Sequence, residues 1–201
     1  MKKLVIIGAS GHGKVVADIA IKTGYEEIVF LDDNTQLTDC AGFPVVGTST
    51  DVFNYSEYDV FIAIGSPNIR KKLYGQLDDM KMATLIHPDA VISRRVSIGR
   101  GTVVMAGAVI NSDTVVGCGC IVNTCSSIDH DCYIGDFAHI SVGAHVAGTV
   151  TIRNCTWVGA GATINNNITI DENVMIGAGA VVVKNIEEGG TYVGSPARKI
   201  K

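Results

Sequence analysis

Isoleucine or valine recurs at every sixth position across half of the chain: Ile86, Ile92, Ile98, Val104, Ile110, Val116, Val122, Ile128, Ile134, Ile140, Val146, Ile152, Val158, Ile164, Ile170, Ile176 and Val182. These seventeen positions keep one register without a slip, and self-similarity at a fixed short period marks a repeat architecture. One residue after the apolar anchor stand Gly99, Gly117, Gly135, Gly159 and Gly177, Asn111, Asn123 and Asn165, and Asp129 and Asp171. Those types tolerate positive φ, so the pattern places a tight corner at that position. Four residues after the anchor the side chains are small, as at Thr102, Ala108, Thr114, Cys120, Ser126, Cys132, Ala138, Ala144, Thr156, Ala162 and Ala180. An anchor, a corner and a small inward residue per six predict a parallel β-helix of hexapeptide rungs. A helical period would drift out of a six-residue frame, and a sandwich would break it with hairpin turns.

Ahead of the repeat the pattern changes. Leu4–Ile7 reads as a buried strand, Val15–Ile21 as a helix, Ile28–Leu31 as a second strand, Val45–Val46 as a short one and Val60–Ile64 as another. Ile69–Tyr74 again has helical spacing. Strands alternating with helices predict a small α/β unit with a parallel sheet, Rossmann-like in outline, over residues 1–85, followed by the coil over 86–201.

Composition narrows the possibilities. In 201 residues, 47% are apolar and the formal net charge is −4. No basic stripe or basic–aromatic interleaving is present, so nucleic acid is not an expected partner. No apolar run reaches the eighteen or more residues of a membrane span. Met1-Lys2-Lys3 leads directly into an apolar run too short for a signal peptide, so a cytoplasmic protein is expected. Of the six cysteines, Cys120 and Cys132 fall on the small inward position and read as core-filling thiols. Cys118 and Cys120 form a C-x-C with no second pair at a zinc spacing, and no metal site is expected.

Two stretches carry candidate chemistry. Gly8-Ala9-Ser10-Gly11-His12-Gly13-Lys14 begins like a P-loop, but Val15 follows where Ser or Thr should hold magnesium. Its glycine order also departs from the dinucleotide fingerprint. What remains is a glycine turn between strand and helix, whose N–H groups and helix start can hold an anion. Asp32 and Asp33 close the second strand, where they could accept hydrogen bonds from a ribose or base. In the coil, His130, His139 and His145 all miss the inward position and should point outward. His130 stands between Asp129 and Asp131, and a neighbouring carboxylate can orient an imidazole and stabilise its protonated form. His130 and His139 are nine residues apart, half of an eighteen-residue coil, so one chain must present them on different sides. A site using both would lie between two chains of a symmetric assembly.

The order of a GASGHG turn, a short α/β domain, and an uninterrupted hexad coil bearing Ser127-Ile128-Asp129-His130-Asp131-Cys132 and Ile140-Ser141-Val142-Gly143-Ala144-His145 resembles the sugar O- and N-acetyltransferases of the sialic acid O-acetyltransferase type. Within them it looks most like the UDP-4-amino-sugar N-acetyltransferases of bacterial bacillosamine synthesis. The Tyr192-Val193-Gly194-Ser195-Pro196-Ala197 ending is common to many hexapeptide acyltransferases. The resemblance implies a left-handed parallel β-helix with three hexads per triangular coil, and the run is long enough for about five coils.

It also implies acetyl-CoA as co-substrate, a nucleotide-linked amino sugar as acceptor, and a homotrimer. His130 would be the general base, with Asp131 as its acidic partner. His139, with the Gly148 backbone, would hold the acetyl or pantetheine end of acetyl-CoA. Ala160 and Ala178, one and two coils further on, would line the coenzyme groove between subunits. Ser10, Gly11, His12, Asp32, Asp33 and Gly65 match the nucleotide-sugar pocket. Asn34 and the Ser66-Pro67-Asn68 loop depart from the relatives' pattern and bear on the choice of sugar. Transfer to a sugar hydroxyl, transfer to GDP-perosamine, and a non-catalytic nucleotide-sugar-binding scaffold are the alternatives the same residues leave open.

Overall fold

The computed structural model describes residues 1–200, and the chain divides into two compact units, Met1–Pro88 and Asp89 onward. In the first, β1 (Lys2–Ile7) lies between β2 (Tyr25–Leu31) and β5 (Asp59–Ile62), parallel to both. The apolar ends of these strands are buried throughout, as expected of a parallel sheet covered on its faces. Helix α1 (Gly11–Lys22) follows β1, and α2 (Pro67–Gly75), opened by Pro67, follows β5. Between β2 and β5 the chain forms two short paired strands, β3 (Asp39–Cys40) and β4 (Phe43–Pro44), and a 3-10 helix, Ser49–Tyr55. The expected strand at Val45–Val46 is not formed; Val45 makes an isolated bridge to Phe30 and Val46 N–H donates to the Phe30 carbonyl. Val45 N–H turns away to the Thr38 carbonyl, so the contact with β2 stays a single bridge. The 3-10 helix escaped the sequence reading although Thr48 and Asp51 form a capping box at its start.

The second unit is a parallel β-helix of about six coils, one more than the length of the run suggested. Most of its strands are two residues long, and they pair in register with those one coil away. The first face stacks Val91–Ile92, Val109–Ile110, Ser127–Ile128, His145–Val146, Thr163–Ile164 and Val181–Val182. The second stacks Ser97–Ile98, Val115–Val116, Tyr133–Ile134, Thr151–Ile152 and Thr169–Ile170. The third runs from Val103–Val104 through Ile121–Val122, His139–Ile140 and Trp157–Val158 to Val174–Ile176 and Gly190–Val193. Every anchor from Val104 to Val182 is buried, and Ala108, Cys120, Ala138, Ala144, Ala162 and Ala180 fill the space between them. The inward hydroxyls and thiols bond to the backbone: Thr114 Oγ1 donates to the Asp129 carbonyl (2.7 Å) and Cys132 Sγ to the Ala147 carbonyl (3.2 Å). This satisfies polar groups that burial would otherwise penalise.

The corner lies elsewhere than expected. Positive φ occurs three residues after the anchor, at Asp113, Cys125, Asp131, Phe137, Thr149, Cys155, Asn167 and Asn173 and at glycines such as Gly119 and Gly143. Where the position one after the anchor is glycine, the reason is a different one. A Cβ on Gly99 would sit 2.6 Å from Cys118 N, and one on Gly159 would sit 2.5 Å from the Ile176 carbonyl oxygen. Coil-to-coil clearance, not left-handed backbone, excludes a side chain at these glycines, whereas other rungs carry one at the same position, as at Asn111, Asn123 and Asp129. Because the anchors of neighbouring coils stack on one another, shortening one should leave a cavity that the repeat cannot close. Ile134→Ala is expected to cost about 2–5 kcal/mol, read as a lowered denaturation midpoint.

Candidate active site

His130 lies just beyond the first-face strand Ser127–Ile128, next to the left-handed corner residue Asp131 (φ 58°). That corner turns the Asp131 carboxylate back onto the imidazole: Oδ2 lies 2.8 Å from Nδ1. Asp129 holds the backbone of the same residue. Its Oδ1 accepts the His130 N–H at 2.8 Å and the Asn111 amide at 2.8 Å. The hydrogen bond to Asp131 and then the charge of Asp129 raise the His130 pKa above its usual value. A proton shared with Asp131 on Nδ1 leaves the lone pair on Nε2. The ring is 57% exposed, and its Nε2 edge lies over Gly148, where a Cβ would come within 2.7 Å of Nε2 and Cε1. His130, Asp131 and Gly148 are therefore brought together within one chain.

His139 stands on the third face, as the half-coil spacing requires. It does project outside the coil core, but it is not solvated: it is 7% exposed. Trp157, one coil on and in register, covers it with ring centroids 4.6 Å apart, and Asn123 Nδ2 lies 3.1 Å from its Nε2. Ala160 and Ala178 are exposed on the corner that follows the third face. Gly148 belongs instead to the corner that follows the first. The six proposed coil residues thus form two sets on one chain, His130, Asp131 and Gly148 against His139, Ala160 and Ala178.

In the first unit, Gly8 (φ 110°) and Gly13 make the turn possible; a Cβ on Gly13 would lie 2.2 Å from the Gly8 carbonyl oxygen. Gly11 faces open space and begins α1 after Ser10, which occupies the cap position without a side-chain cap bond. Asp32 braces this turn, its Oδ2 accepting Ala9 N–H at 2.7 Å and its Oδ1 accepting Asn34 N–H. Asp33 Oδ1 accepts Ser49 N–H at 2.9 Å. The acidic pair therefore shapes the loops around this turn. The Gly65 and Ile64 carbonyls both accept from Nη1 of Arg70, a fully buried guanidinium. His12 Nε2 is buried with no hydrogen-bond partner among the described residues. Burial, and then the charge of Arg70, lowers the His12 pKa to about 4, so the ring is neutral near pH 7.

Asn111, Asn123 and Trp157 join the site only in the folded coil. Each touches a histidine or its neighbour from one coil away, so a six-residue period hides them and an eighteen-residue column exposes them. No helix among the described residues is long and apolar enough to cross a membrane.

Residues 3–77 match the PglD N-terminal domain family, and residues 149–184 match the bacterial transferase hexapeptide family (six repeats). The chain is 36% identical over 115 residues to the UDP-N-acetylbacillosamine N-acetyltransferase of Bacillus subtilis (strain 168). That stretch covers 53% of this chain and 52% of the relative, so the match spans about half of each. The whole chain superposes on the acetyltransferase domain of PglB from Neisseria gonorrhoeae FA1090 with a TM-score of 0.95 and 43% identity, covering 100% of both chains. That domain in complex with acetyl coenzyme A also matches at a TM-score of 0.95. PerB from Caulobacter crescentus, in complex with CoA and GDP-perosamine, matches with a TM-score of 0.94 and 32% identity over 100% of this chain and 98% of that one. Alike from end to end, the chain belongs to the hexapeptide-repeat acetyltransferases that join a PglD N-terminal domain to a left-handed parallel β-helix.

Proposed function

We propose that this protein is an acetyl-CoA-dependent N-acetyltransferase that acetylates the 4-amino group of a UDP-linked amino-dideoxy sugar by direct transfer, with His130 as general base. One observation carries this reading: His130 is fastened through Nδ1 to Asp131, while its Nε2 edge stands exposed beside Gly148. That is the arrangement a base needs to take a proton from an attacking amine. Acetyl-CoA supplies the activated acetyl group. The small exposed Ala160 and Ala178 and the buried His139 suit a narrow, close-fitting chain such as pantetheine. His130 holds the amine's proton at Nε2, and Asp131 stabilises the resulting imidazolium. The names of the relatives from Bacillus subtilis and Caulobacter crescentus support a nucleotide-linked amino sugar as acceptor.

In the first unit, the bare Gly11 backbone at the start of α1 offers N–H groups to a diphosphate, together with Ser10 and Gly65. Asp32 and Asp33 retain lone pairs for a ribose or base. The neutral His12 Nε2 has no partner of its own, and an unsatisfied buried group costs roughly 1–3 kcal/mol. A bound nucleotide sugar that completes it gains that energy. Because one chain presents the His130 and His139 sets on different sides, a homotrimer would complete each site with one set from each of two copies. Light scattering should show a trimer; a fully active monomer would overturn the shared site.

The direct test is thiol release from acetyl-CoA with a panel of UDP- and GDP-linked amino sugars and sialic acid. Acetylation of a UDP-4-amino sugar is expected. Transfer only to a hydroxyl or to GDP-perosamine would reassign the acceptor, and binding without any transfer would leave a scaffold. The pH profile offers a second check. Asp131 raises the pKa of His130, and the base works only when unprotonated, so the acid limb of kcat/KM should lie above the usual imidazole value of about 6.5. Asp131→Asn keeps a residue that tolerates positive φ and removes the charge. Its acid limb should move to lower pH, with a lower plateau.

A further inference from the structure

A groove of about 270 Å³, with polar side chains above an apolar floor of Val146 and Ile164, runs along the first face of the coil and passes Asp129, the residue before His130. Two stacked columns line it. Asn111, Asp129, Ala147 and Asn165 follow one another at one-coil intervals, and Ser127 and His145 lie beside them. The groove reaches the base in two independent ways. Asp129 accepts the backbone N–H of His130, and Ala147 precedes Gly148, where an added Cβ would meet His130 Nε2 at 2.7 Å. Its groups are partly ordered before any ligand arrives. Asn111 Nδ2 donates to Asp129 Oδ1 at 2.8 Å, and Ser127 Oγ lies 2.8 Å from His145 Nδ1. An amide, a carboxylate, an imidazole and a second amide in one groove offer both donors and acceptors.

We infer that this groove is the acceptor subsite that holds the hydroxyl-bearing sugar ring and delivers its amine to His130; the inference rests on the N-acetyltransferase reading above. No Lys or Arg lines the groove and Asp129 adds a negative charge, so it suits neither a diphosphate nor the coenzyme's phosphates. Its volume lies just below the range of drug-sized sites, roughly 300–1,000 Å³, which is room for one monosaccharide. Asp129 and Asp131 together favour the approach of a cationic amine, and Asn165 and His145 grip the ring away from the reacting nitrogen.

The experiment compares His145→Ala and Asn165→Ala with the wild type, using the nucleotide amino sugar that the panel shows to be acetylated. Each substitution should raise the KM for the sugar nucleotide about tenfold, the scale of one lost hydrogen bond to a positioned group, with the KM for acetyl-CoA within about twofold of wild type. Calorimetric titration of the same sugar nucleotide, without acetyl-CoA, should show the same loss of affinity. An unchanged sugar KM and affinity in both variants overturns the inference while leaving the acetyltransferase reading intact. A rise in the KM for acetyl-CoA alone also overturns it, assigning the groove to the coenzyme. If the wild type transfers nothing, titration across the panel still decides. Binding that weakens in both variants upholds the subsite and removes only the activity, whereas unchanged or absent binding removes the subsite as well.

Discussion

His130→Ala should lower kcat by about 10²- to 10⁴-fold, the usual contribution of a positioned general base, or about 2.7–5.5 kcal/mol of barrier. The ring is 57% exposed and lies outside the coil core, so the denaturation midpoint should stay near that of the wild type. The residual rate would come from holding amine and thioester together, which a missing imidazole does not disturb. Single-turnover rates with acetyl-CoA and the unacetylated amino-sugar nucleotide measure the chemical step directly. Turnover within a few-fold of wild type would remove His130 from the role and direct attention to an amine that reacts without a protein base.

Gly148→Ala should separate activity from stability almost as sharply. Gly148 is not among the residues with positive φ, so its backbone accepts an alanine. The obstacle is the added methyl, which would stand 2.7 Å from His130 Nε2 and Cε1, against an ordinary contact of about 3.5–4.0 Å. The atoms in its way are the tip of a rotatable side chain, and the ring can swing aside by roughly 1 Å. A displacement of that size can cost about 10²-fold in rate, while the coil itself has no reason to loosen. A fall in kcat with an unchanged midpoint is therefore expected. Gly13 offers the contrast, because its Cβ would meet the Gly8 carbonyl at 2.2 Å. A backbone atom cannot rotate away, and Gly13→Ala should unfold the turn. If Gly148→Ala kept full activity, the base could not depend on the position that Gly148 allows.

The coil was legible because its period is short, exact in register and carried by β-branched residues whose burial leaves little choice of face. The same regularity misled at the corner. Asn, Asp and Gly one residue after the anchor looked like left-handed residues, yet the left-handed position holds Cys125, Phe137, Thr149 and Cys155. Stacked strands on both sides impose that conformation whatever the side chain, overriding local preference. The burial of His139 was equally out of reach, because its cover comes from Trp157 and Asn123, one coil away in either direction. In the first unit, the strands and helices followed from apolar runs. The braces Asp32 to Ala9, Asp33 to Ser49 and Arg70 to Ile64 and Gly65 join loops that only folding brings together.

By itself the sequence determined the repeat, the inward identity of Cys120 and Cys132, the α/β character of the first unit, and the separation of His130 from His139 by half a coil. All of these depend on spacing along the chain. The tertiary structure alone decided that Asp131 reaches Nδ1, that Gly148 abuts the Nε2 edge, that His139 is stacked and buried, and that Asn111, Asp129, His145 and Asn165 share one groove. Those relations depend on which side chains meet across neighbouring coils. The rise and corner geometry of the folded β-helix set those meetings, and the linear order leaves them open.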